Sequence, residues 1–223
     1  MTGPTPPTPR PKVKVCGLMN APDAAMCAAQ GVDVLGFVVN YPVPVPWNLP
    51  PAVAKELIAG LPPGQASCIV TGGAPAAVVQ LAQDLQPSLV QLHVPYPVEQ
   101  TAALARRLAA IGMGAIQTVF PDTPNLTATV AALAATPVRA ILIDPRTPGN
   151  ATAGGAADLT LYNRLAAVAA GKPLVLAGGL TPANVAQAVQ ATGATHIDVM
   201  TGVETAPGAK SSALLAALLA ALL

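Results

Sequence analysis

The sequence has few charged residues: only 9% of its 223 residues are Asp, Glu, Lys or Arg, well below the usual share of about a quarter. Eleven basic and ten acidic residues leave a formal charge of +1, and the basic ones are scattered from Arg10 to Lys210. Without a basic stripe to neutralise a phosphate backbone, we expect no nucleic-acid partner. A hydrophobic share of 52% with so little net charge also excludes an intrinsically disordered chain.

Cysteines are also scarce, and long apolar runs are absent. The three cysteines, Cys16, Cys27 and Cys68, lack the spacing of a metal-binding pair, and their odd number leaves one thiol unpaired in any disulfide scheme. This favours a reducing, cytoplasmic location. The wholly apolar run at residues 213–223 is shorter than the roughly 20 residues that span a bilayer, so we expect no membrane insertion.

The first eleven residues differ in composition from the rest of the chain. Residues 1–11 are rich in Pro and Thr and contain no apolar stretch, which predicts a flexible tail and not a signal peptide. Residues 12–223 are enough for one well-buried domain. The two histidines, His93 and His196, are not spaced with cysteines or carboxylates as metal ligands. We therefore expect no metal.

Within that domain, short runs of Val, Ile and Leu alternate with longer Ala- and Leu-rich stretches, which is the pattern of βα units. The predicted strands are residues 12–16, 34–39, 67–71, 89–92, 114–118, 140–143, 173–176 and 196–199. The predicted helices are residues 21–30, 51–59, 75–85, 98–110, 125–135, 159–169, 183–191 and 212–222. Asn20 before Pro22, and Thr181 before Pro182, read as helix starts. Eight βα repeats predict the α/β class and a single (β/α)8 TIM barrel.

In such a barrel the active site lies at the carboxyl ends of the strands. Polar residues or glycines predicted there are Cys16, Asn40, His93, Gln117, Asp144, Gly178, Gly179 and residues 198–202.

Cys16 and Asp144 are the candidates for proton transfer, at the ends of strands one and six. A cysteine there acts as base or nucleophile if its pKa is lowered; the alternative is a buried, inert thiol. Asp144 can give or take a proton beside a substrate, or it can simply cap the turn before Pro145. Together they are compatible with a site in which one group takes a proton and the other gives one.

Gly178, Gly179, Thr201 and Gly202 follow strands seven and eight. Barrels often bind phosphate at this pair of loops, because glycines let the backbone approach an anion closely. The alternative is that these glycines only form tight βα turns. A small phosphorylated molecule is therefore the expected partner.

The sequence resembles the phosphoribosylanthranilate isomerase family, a group of barrel enzymes of tryptophan biosynthesis. The matching segments keep their order from residue 12 to about residue 210. They are KVCGL at 14–18, GVDVLGFV at 31–38, VQLH at 90–93, ILID at 141–144, LAGGLTPANV at 176–185, and DVMTGVE at 198–204 followed by PG at 207–208.

The resemblance implies a cofactor-free Amadori rearrangement of N-(5-phosphoribosyl)anthranilate to an aminoketose. Asp144 is then the general acid that protonates the furanose ring oxygen, and Cys16 the base that removes the C2 proton. Gly178, Gly179 and Gly202 match the phosphate loops of the family. Asp198 matches a family carboxylate that organises the site. His93, the last residue of the VQLH match, is expected to be a substrate-binding residue.

The sequence departs from the family in its substrate-binding loops. The arginine of a Ser-Pro-Arg stretch, associated in the family with the anthranilate carboxylate, is replaced by Trp47, which cannot form a charge-assisted bond. Trp47 can instead stack on an aromatic ring, and Arg146 can supply the charge from the opposite loop; alternatively Trp47 only covers the rim and Arg146 is solvated. Further departures are Val94, Gln117, the pair Met200 and Thr201, and GAADL at 155–159, where of the family's lid ending only Asp158 is retained.

Three functions remain compatible with these residues. They are phosphoribosylanthranilate isomerase activity, a paralogous isomerase acting on another phosphosugar amine, and a barrel that binds a phosphorylated ligand but no longer catalyses. Convergence of Trp47 and Arg146 over Cys16 and Asp144 would favour the first, whereas a blocked mouth would favour the last. Both a monomer and a homodimer are compatible with the sequence.

Overall fold

The computed structural model describes residues 10–146 and 155–223. Its eight main strands are β1 (Lys12–Val15), β2 (Val34–Val39), β3 (Ala66–Thr71), β4 (Leu89–Leu92), β5 (Gly114–Val119), β6 (Ala140–Ile143), β7 (Leu174–Ala177) and β8 (His196–Val199). The helices that follow them are α1 (Ala21–Ala29), α2 (Pro51–Ala59), α3 (Pro75–Leu85), α4 (Val98–Ala110), α5 (Leu126–Ala134), α6 (Leu159–Ala166), α7 (Val185–Thr192) and α8 (Ser212–Ala220).

The eight strands form one closed, parallel barrel. Each strand pairs with the next along the chain, and β1 pairs with both β2 and β8, which closes the sheet. Lys14 is in register with Val34 on one side and with Asp198 on the other. The predicted single (β/α)8 barrel is therefore confirmed.

The core has two layers, because side chains alternate between the two faces of a strand. The larger layer packs strands against helices and contains fully buried side chains such as Phe37, Leu92 and Leu165. A smaller cluster fills the barrel interior and includes Cys68, Ile116, Ala140, Leu142 and Val175. Strands buried on both faces read as nearly continuous apolar runs, which is why the sequence revealed them.

Four strands and three helices have the predicted boundaries: 34–39, 89–92, 140–143 and 196–199, and 51–59, 75–85 and 98–110. The Asn20 side chain caps α1 as expected, accepting a bond from the Asp23 N–H at 2.8 Å. The start of α7 was predicted too early. The Thr181 N–H bonds instead to the Asn184 side chain at 2.8 Å, closing a turn, and the helix begins after Asn184.

Three short strands were not predicted. Asn48–Leu49 pairs with β2, and Glu204–Ala206 forms a hairpin with Ala209–Lys210. They are two or three residues long, too short for a period-two pattern to show. The hairpin is held by a local ion pair, with Lys210 Nζ 2.5 Å from Glu204 Oε1.

Most of the predicted tail at residues 1–11 lies outside the described residues. Its last two residues contact the barrel: Pro11 is buried, and the Arg10 guanidinium bonds to Asp33 at 2.7 Å and to the Gly31 carbonyl at 2.8 Å. Within residues 10–146 and 155–223, no helix is both long and apolar enough to cross a membrane.

Candidate active site

One pocket at the carboxyl end of the barrel collects the ten residues proposed from the sequence for catalysis and binding, but its lining does not include Asn40 or Gln117, which were also expected at this rim. Its lining includes Cys16, Trp47, His93, Asp144, Arg146, Asp198, Gly178, Gly179, Thr201 and Gly202. Each comes from the end of a strand or from the loop after it, because parallel strands deliver their carboxyl ends to the same rim. Trp47 and Arg146 thus both line the pocket that contains Cys16 and Asp144.

Cys16 lies directly after β1 and is buried. Burial raises the pKa of its thiol above the usual 9.0, and the nearby Lys14 ammonium opposes that rise. Lys14 is two residues earlier on the strand, so both side chains leave the same face. Gly36 on β2 makes room for the Lys14 side chain, since a Cβ at position 36 would lie 3.1 Å from Lys14 Nζ. The resting state of Cys16 is a thiol with a buried cation beside it.

Lys14 and Asp198 form a buried ion pair across the β1–β8 seam. Lys14 Nζ is 3.0 Å from both carboxylate oxygens of Asp198. Burial by itself would lower the pKa of Lys14, but the attraction of Asp198 outweighs it, so the pKa stays above its ordinary value. The cation is therefore kept charged under Cys16, and Asp198 organises the floor of the pocket.

Asp144 follows β6 and is held by Arg146. Asp144 Oδ1 accepts from the Arg146 backbone N–H at 2.9 Å and from Nε at 3.0 Å, and Oδ2 accepts from Nη2 at 2.8 Å. Burial would raise the pKa of Asp144, but the Arg146 bonds and charge prevail and hold it below the usual range. Asp144 is thus a carboxylate in this structure.

His93 contacts the second oxygen of that carboxylate, with Nε2 3.4 Å from Asp144 Oδ2. Its Nδ1 lies 3.1 Å from Gln91 Nε2 and 3.2 Å from Thr118 Oγ1. With the Gln91 amide assigned in this orientation, Nδ1 accepts and the ring proton is on Nε2, directed at Asp144. Burial lowers the pKa of His93 to about 4, so the ring is neutral at pH 7.

Trp47 forms an apolar wall with Val38, Tyr41 and Val70 around Cys16. The indole is 7% exposed, and its buried N–H has no hydrogen-bond partner among the described residues. A Cβ at Gly17 would lie 3.1 Å from Trp47 Cδ1. The wall can therefore hold a flat apolar group beside Cys16, but it carries no charge.

The loops after β7 and β8 meet at the other side of the pocket. Gly178 and Gly179 have φ angles of +104° and +56°, which favour glycine. A Cβ at Gly202 would lie only 1.8 Å from the Leu180 carbonyl oxygen, so this close approach of the two loops requires glycine. Backbone N–H groups at such a junction can bind a phosphate.

Four polar residues of the site were not singled out in the sequence: Lys14, Tyr41, Gln91 and Thr118. Lys14 and Gln91 precede Cys16 and His93 by two positions on their strands. A polar residue at that spacing inside an apolar strand was the available signal, because alternate residues share a face.

The other cysteines and the second histidine lie away from this pocket. Cys27 lies on the buried face of α1, and Cys68 is buried in the barrel interior. His196 starts β8, at the amino end of the barrel, and contacts Thr195. Among the described residues, no three His, Cys, Asp or Glu side chains are grouped so that they could hold a metal ion.

Comparisons with known proteins agree on one family. The profile described as PRAI: N-(5'phosphoribosyl)anthranilate (PRA) isomerase matches residues 13–221. The N-(5'-phosphoribosyl)anthranilate isomerase of Halobacterium salinarum is 37% identical over 215 residues, which cover 94% of each chain. The crystal structure of phosphoribosyl anthranilate isomerase from Thermus thermophilus superposes with a TM-score of 0.79 at 30% identity, over 95% of this chain and 98% of that one.

A second solved structure contains a bound ligand. It is phosphoribosyl anthranilate isomerase in complex with reduced 1-(o-carboxyphenylamino)-1-deoxyribulose 5-phosphate. It is similar to this chain with a TM-score of 0.73 and 27% identity, over 93% of this chain and 96% of that one.

Proposed function

Because this chain belongs to the N-(5'-phosphoribosyl)anthranilate isomerase family, we propose that Cys16 and Asp144 carry out the rearrangement of N-(5'-phosphoribosyl)anthranilate in its pocket. The enzyme is an isomerase of tryptophan biosynthesis. The roles of Cys16 and Asp144 are supported by one observation: both line the same pocket as the glycines of the β7 and β8 loops.

The chemistry requires one acid and one base. Asp144 protonates the furanose ring oxygen, which opens the ring to a Schiff base. Cys16 removes the proton from C2 and gives an enolamine, which tautomerises to the ketone. An acid on the oxygen and a base on the neighbouring carbon are each a proton-transfer group of the kind that positioned side chains supply.

The resting protonation is the reverse of what these roles need. Cys16 rests as a thiol with a raised pKa, whereas Asp144 rests as a carboxylate with a lowered pKa. The working form has a thiolate and a carboxylic acid, and its population increases tenfold for each pKa unit by which the two values approach. Lys14 contributes to this, because its charge stabilises the thiolate.

Substrate recognition is divided between the two sides of the pocket. The phosphate binds at Gly178, Gly179, Thr201 and Gly202, where backbone N–H groups face an anion. The aromatic ring of the substrate lies against Trp47, and Arg146 supplies positive charge for its carboxylate. Asp198 acts through Lys14 and not on the substrate, and His93 acts through Asp144.

Complementation tests this function. The gene should restore growth without tryptophan to a strain that lacks this isomerase, and the Cys16→Ala and Asp144→Asn genes should not. The purified chain should consume N-(5'-phosphoribosyl)anthranilate after exhaustive chelation, since neither the acid nor the base is a metal. Turnover of another phosphosugar amine in place of this substrate would support the paralogous isomerase. Phosphate-ligand binding without any turnover would support the non-catalytic barrel.

We propose a cytoplasmic enzyme whose partner is its small phosphorylated substrate, without nucleic acid, and which is a monomer or a homodimer. Light scattering of the purified chain with and without substrate distinguishes the two assembly states.

A further inference from the structure

Asp144 has no room for a proton in its present contacts. Its two carboxylate oxygens together accept three bonds from Arg146, at 2.8–3.0 Å, and Oδ2 also faces the ring N–H of His93. All of these partners are donors, so the geometry itself selects the ionised form. A group fixed in this way cannot protonate a ring oxygen until a donor leaves.

Arg146 is the side chain that can leave. It is more exposed than its partner, with 28% of the side chain accessible against 3% for Asp144, and it lines the pocket beside Asp144. It is also the one cationic side chain among the described residues that line the pocket. His93 is neutral, and Lys14 is committed to Asp198. A substrate carboxylate entering beside Trp47 therefore meets the positive charge of Arg146 in this lining.

We propose that the carboxylate of the substrate takes Arg146 away from Asp144, and that this exchange converts Asp144 into the protonated acid of the reaction. The proposal rests on the proposed function, because it assigns the trigger to a carboxylated substrate. Guanidinium binds one carboxylate in bidentate fashion as readily as another. The substrate then activates the enzyme by its own charge, and Arg146 is both a binding residue and a positioning residue for Asp144.

The electrostatics favour proton uptake in the exchanged state. An opposite charge at this distance lowers a carboxyl pKa by about 1–3, and a second carboxylate nearby raises it. Among the described residues, four titratable or charged groups face Asp144: Arg146 from its own loop, His93 from the end of β4, Tyr41 after β2, and Asp198 on β8. Once Arg146 has moved, none of the others supplies a positive charge at pH 7, and the His93 N–H is the one remaining donor named here that opposes the effect of burial on the Asp144 pKa.

The proton balance closes over one turnover. When the substrate binds, Asp144 takes up a proton from water and the Cys16 thiol releases one to water. Asp144 then gives its proton to the ring oxygen, which becomes a hydroxyl, and the Cys16 thiolate takes the C2 proton and is a thiol again. As the enolamine tautomerises, C1 gains a proton and the C2 hydroxyl loses one to become the ketone. Release of the product returns Arg146 to Asp144. No oxidant, reductant or co-reactant is needed.

A pair of substrates tests the exchange. N-(5'-phosphoribosyl)aniline lacks the carboxylate, so wild-type enzyme should turn it over at least tenfold more slowly, with a deficit that widens as the pH rises. In Arg146→Gln the two substrates should respond in opposite directions: kcat/KM falls for the anthranilate, and kcat rises for the aniline. Equal losses for both substrates would overturn the exchange. Lack of wild-type turnover of the anthranilate would instead overturn the proposed function.

Proton uptake gives a test that does not require the Arg146 variant to fold. Calorimetry at pH 6 in buffers of different ionisation enthalpy measures the protons taken up by wild-type enzyme with reduced 1-(o-carboxyphenylamino)-1-deoxyribulose 5-phosphate and with its decarboxylated analogue. We expect greater uptake with the carboxylated ligand, and no difference between the ligands in Asp144→Asn. Equal uptake by the wild-type enzyme with both ligands would overturn the proposal.

Discussion

At the scale of single residues, substitutions of Cys16 and Asp144 distinguish a catalytic role of these side chains from a packing role. Cys16→Ala and Asp144→Asn should each lower kcat by about 100-fold or more, the usual contribution of a positioned proton-transfer group. KM should change much less, because the phosphate is bound at other loops; a loss confined to kcat marks an interaction made in the transition state. Steady-state kinetics on variants first shown to be folded by thermal unfolding measure both. Near wild-type kcat in either variant would remove that residue from the mechanism.

Trp47 is predicted to bind through its aromatic face and not through its N–H, because that N–H is buried and unpartnered among the described residues. Trp47→Phe keeps the face and should leave KM close to wild type. Trp47→Leu removes it and should raise KM by about two- to tenfold, the equivalent of an aromatic pair. KM measured for both variants decides between the roles. A large rise in Trp47→Phe would show that the N–H contacts the substrate.

The chemical roles of Cys16 and Asp144 could be predicted from their positions along the chain, but the side-chain pairs of the site could not. The ends of strands one and six pointed to Cys16 and Asp144, because a barrel delivers strand ends to one rim. The Lys14–Asp198 pair joins residues 184 positions apart, and it follows from the register that closes the barrel. The Asp144–Arg146 bonds depend on how a loop turns, and the apolar pattern carries no information about that.

At the scale of elements, the glycine junction between the β7 and β8 loops controls phosphate binding. Gly202→Ala places a methyl group 1.8 Å from the Leu180 oxygen, so the loops must separate. We expect the dissociation constant for ribose 5-phosphate to rise by about tenfold or more, because one or two backbone N–H bonds to the anion are lost. Titration followed by backbone NMR measures it.

Gly60→Ala is the matched control for that experiment. Gly60 has a φ of −84° and a Cβ there would make only ordinary contacts, at 3.4 Å and beyond. It lies after α2, so phosphate affinity should stay at the wild-type value. Equal losses in the two variants would point to general destabilisation, and unchanged affinity in Gly202→Ala would place the anion elsewhere.

Elements with an intrinsic pattern were predicted well, whereas elements formed by contacts were not. Buried strands and Ala- and Leu-rich helices can be recognised in the sequence from their composition and hydrophobic period. The Glu204–Ala206 and Ala209–Lys210 hairpin depends on Lys210, which is buried against Glu204 and donates to the Met200 carbonyl at 3.4 Å. Such contacts exist only once the barrel has formed.

At the scale of the whole molecule, stability should be greatest between about pH 6.5 and pH 9. The pKa of His93 is lowered from 6.5 to about 4, so the unfolded chain takes up a proton first as the pH falls and stability decreases through that window. Burial raises the pKa of Cys68 from 9.0 to about 12. The unfolded chain therefore loses that proton first, and stability decreases above pH 9.

Urea unfolding from pH 4 to pH 11 measures this profile. His93→Gln should make the acid side less steep, where Asp144 keeps part of the slope. Cys68→Ala should make the alkaline side less steep, where Cys27 and Tyr162, whose pKa values burial also raises, keep part of the slope. His196→Gln is the control, because His196 is only half-buried and its pKa is lowered less strongly. An acid limb unchanged in His93→Gln would show that the ring is not held neutral in the folded state.

Truncation tests the amino-terminal boundary of the barrel domain. The sequence predicts a tail through residue 11, but Pro11 is buried and Arg10 bonds to Asp33 and Gly31. Deleting residues 1–9 should therefore change the free energy of unfolding by less than about 0.5 kcal/mol. Deleting residues 1–11 should lower it by about 1 kcal/mol or more, since buried apolar area and an ion pair are lost together. Urea unfolding of the two truncations compares them, and equal stability would move the boundary back to residue 12.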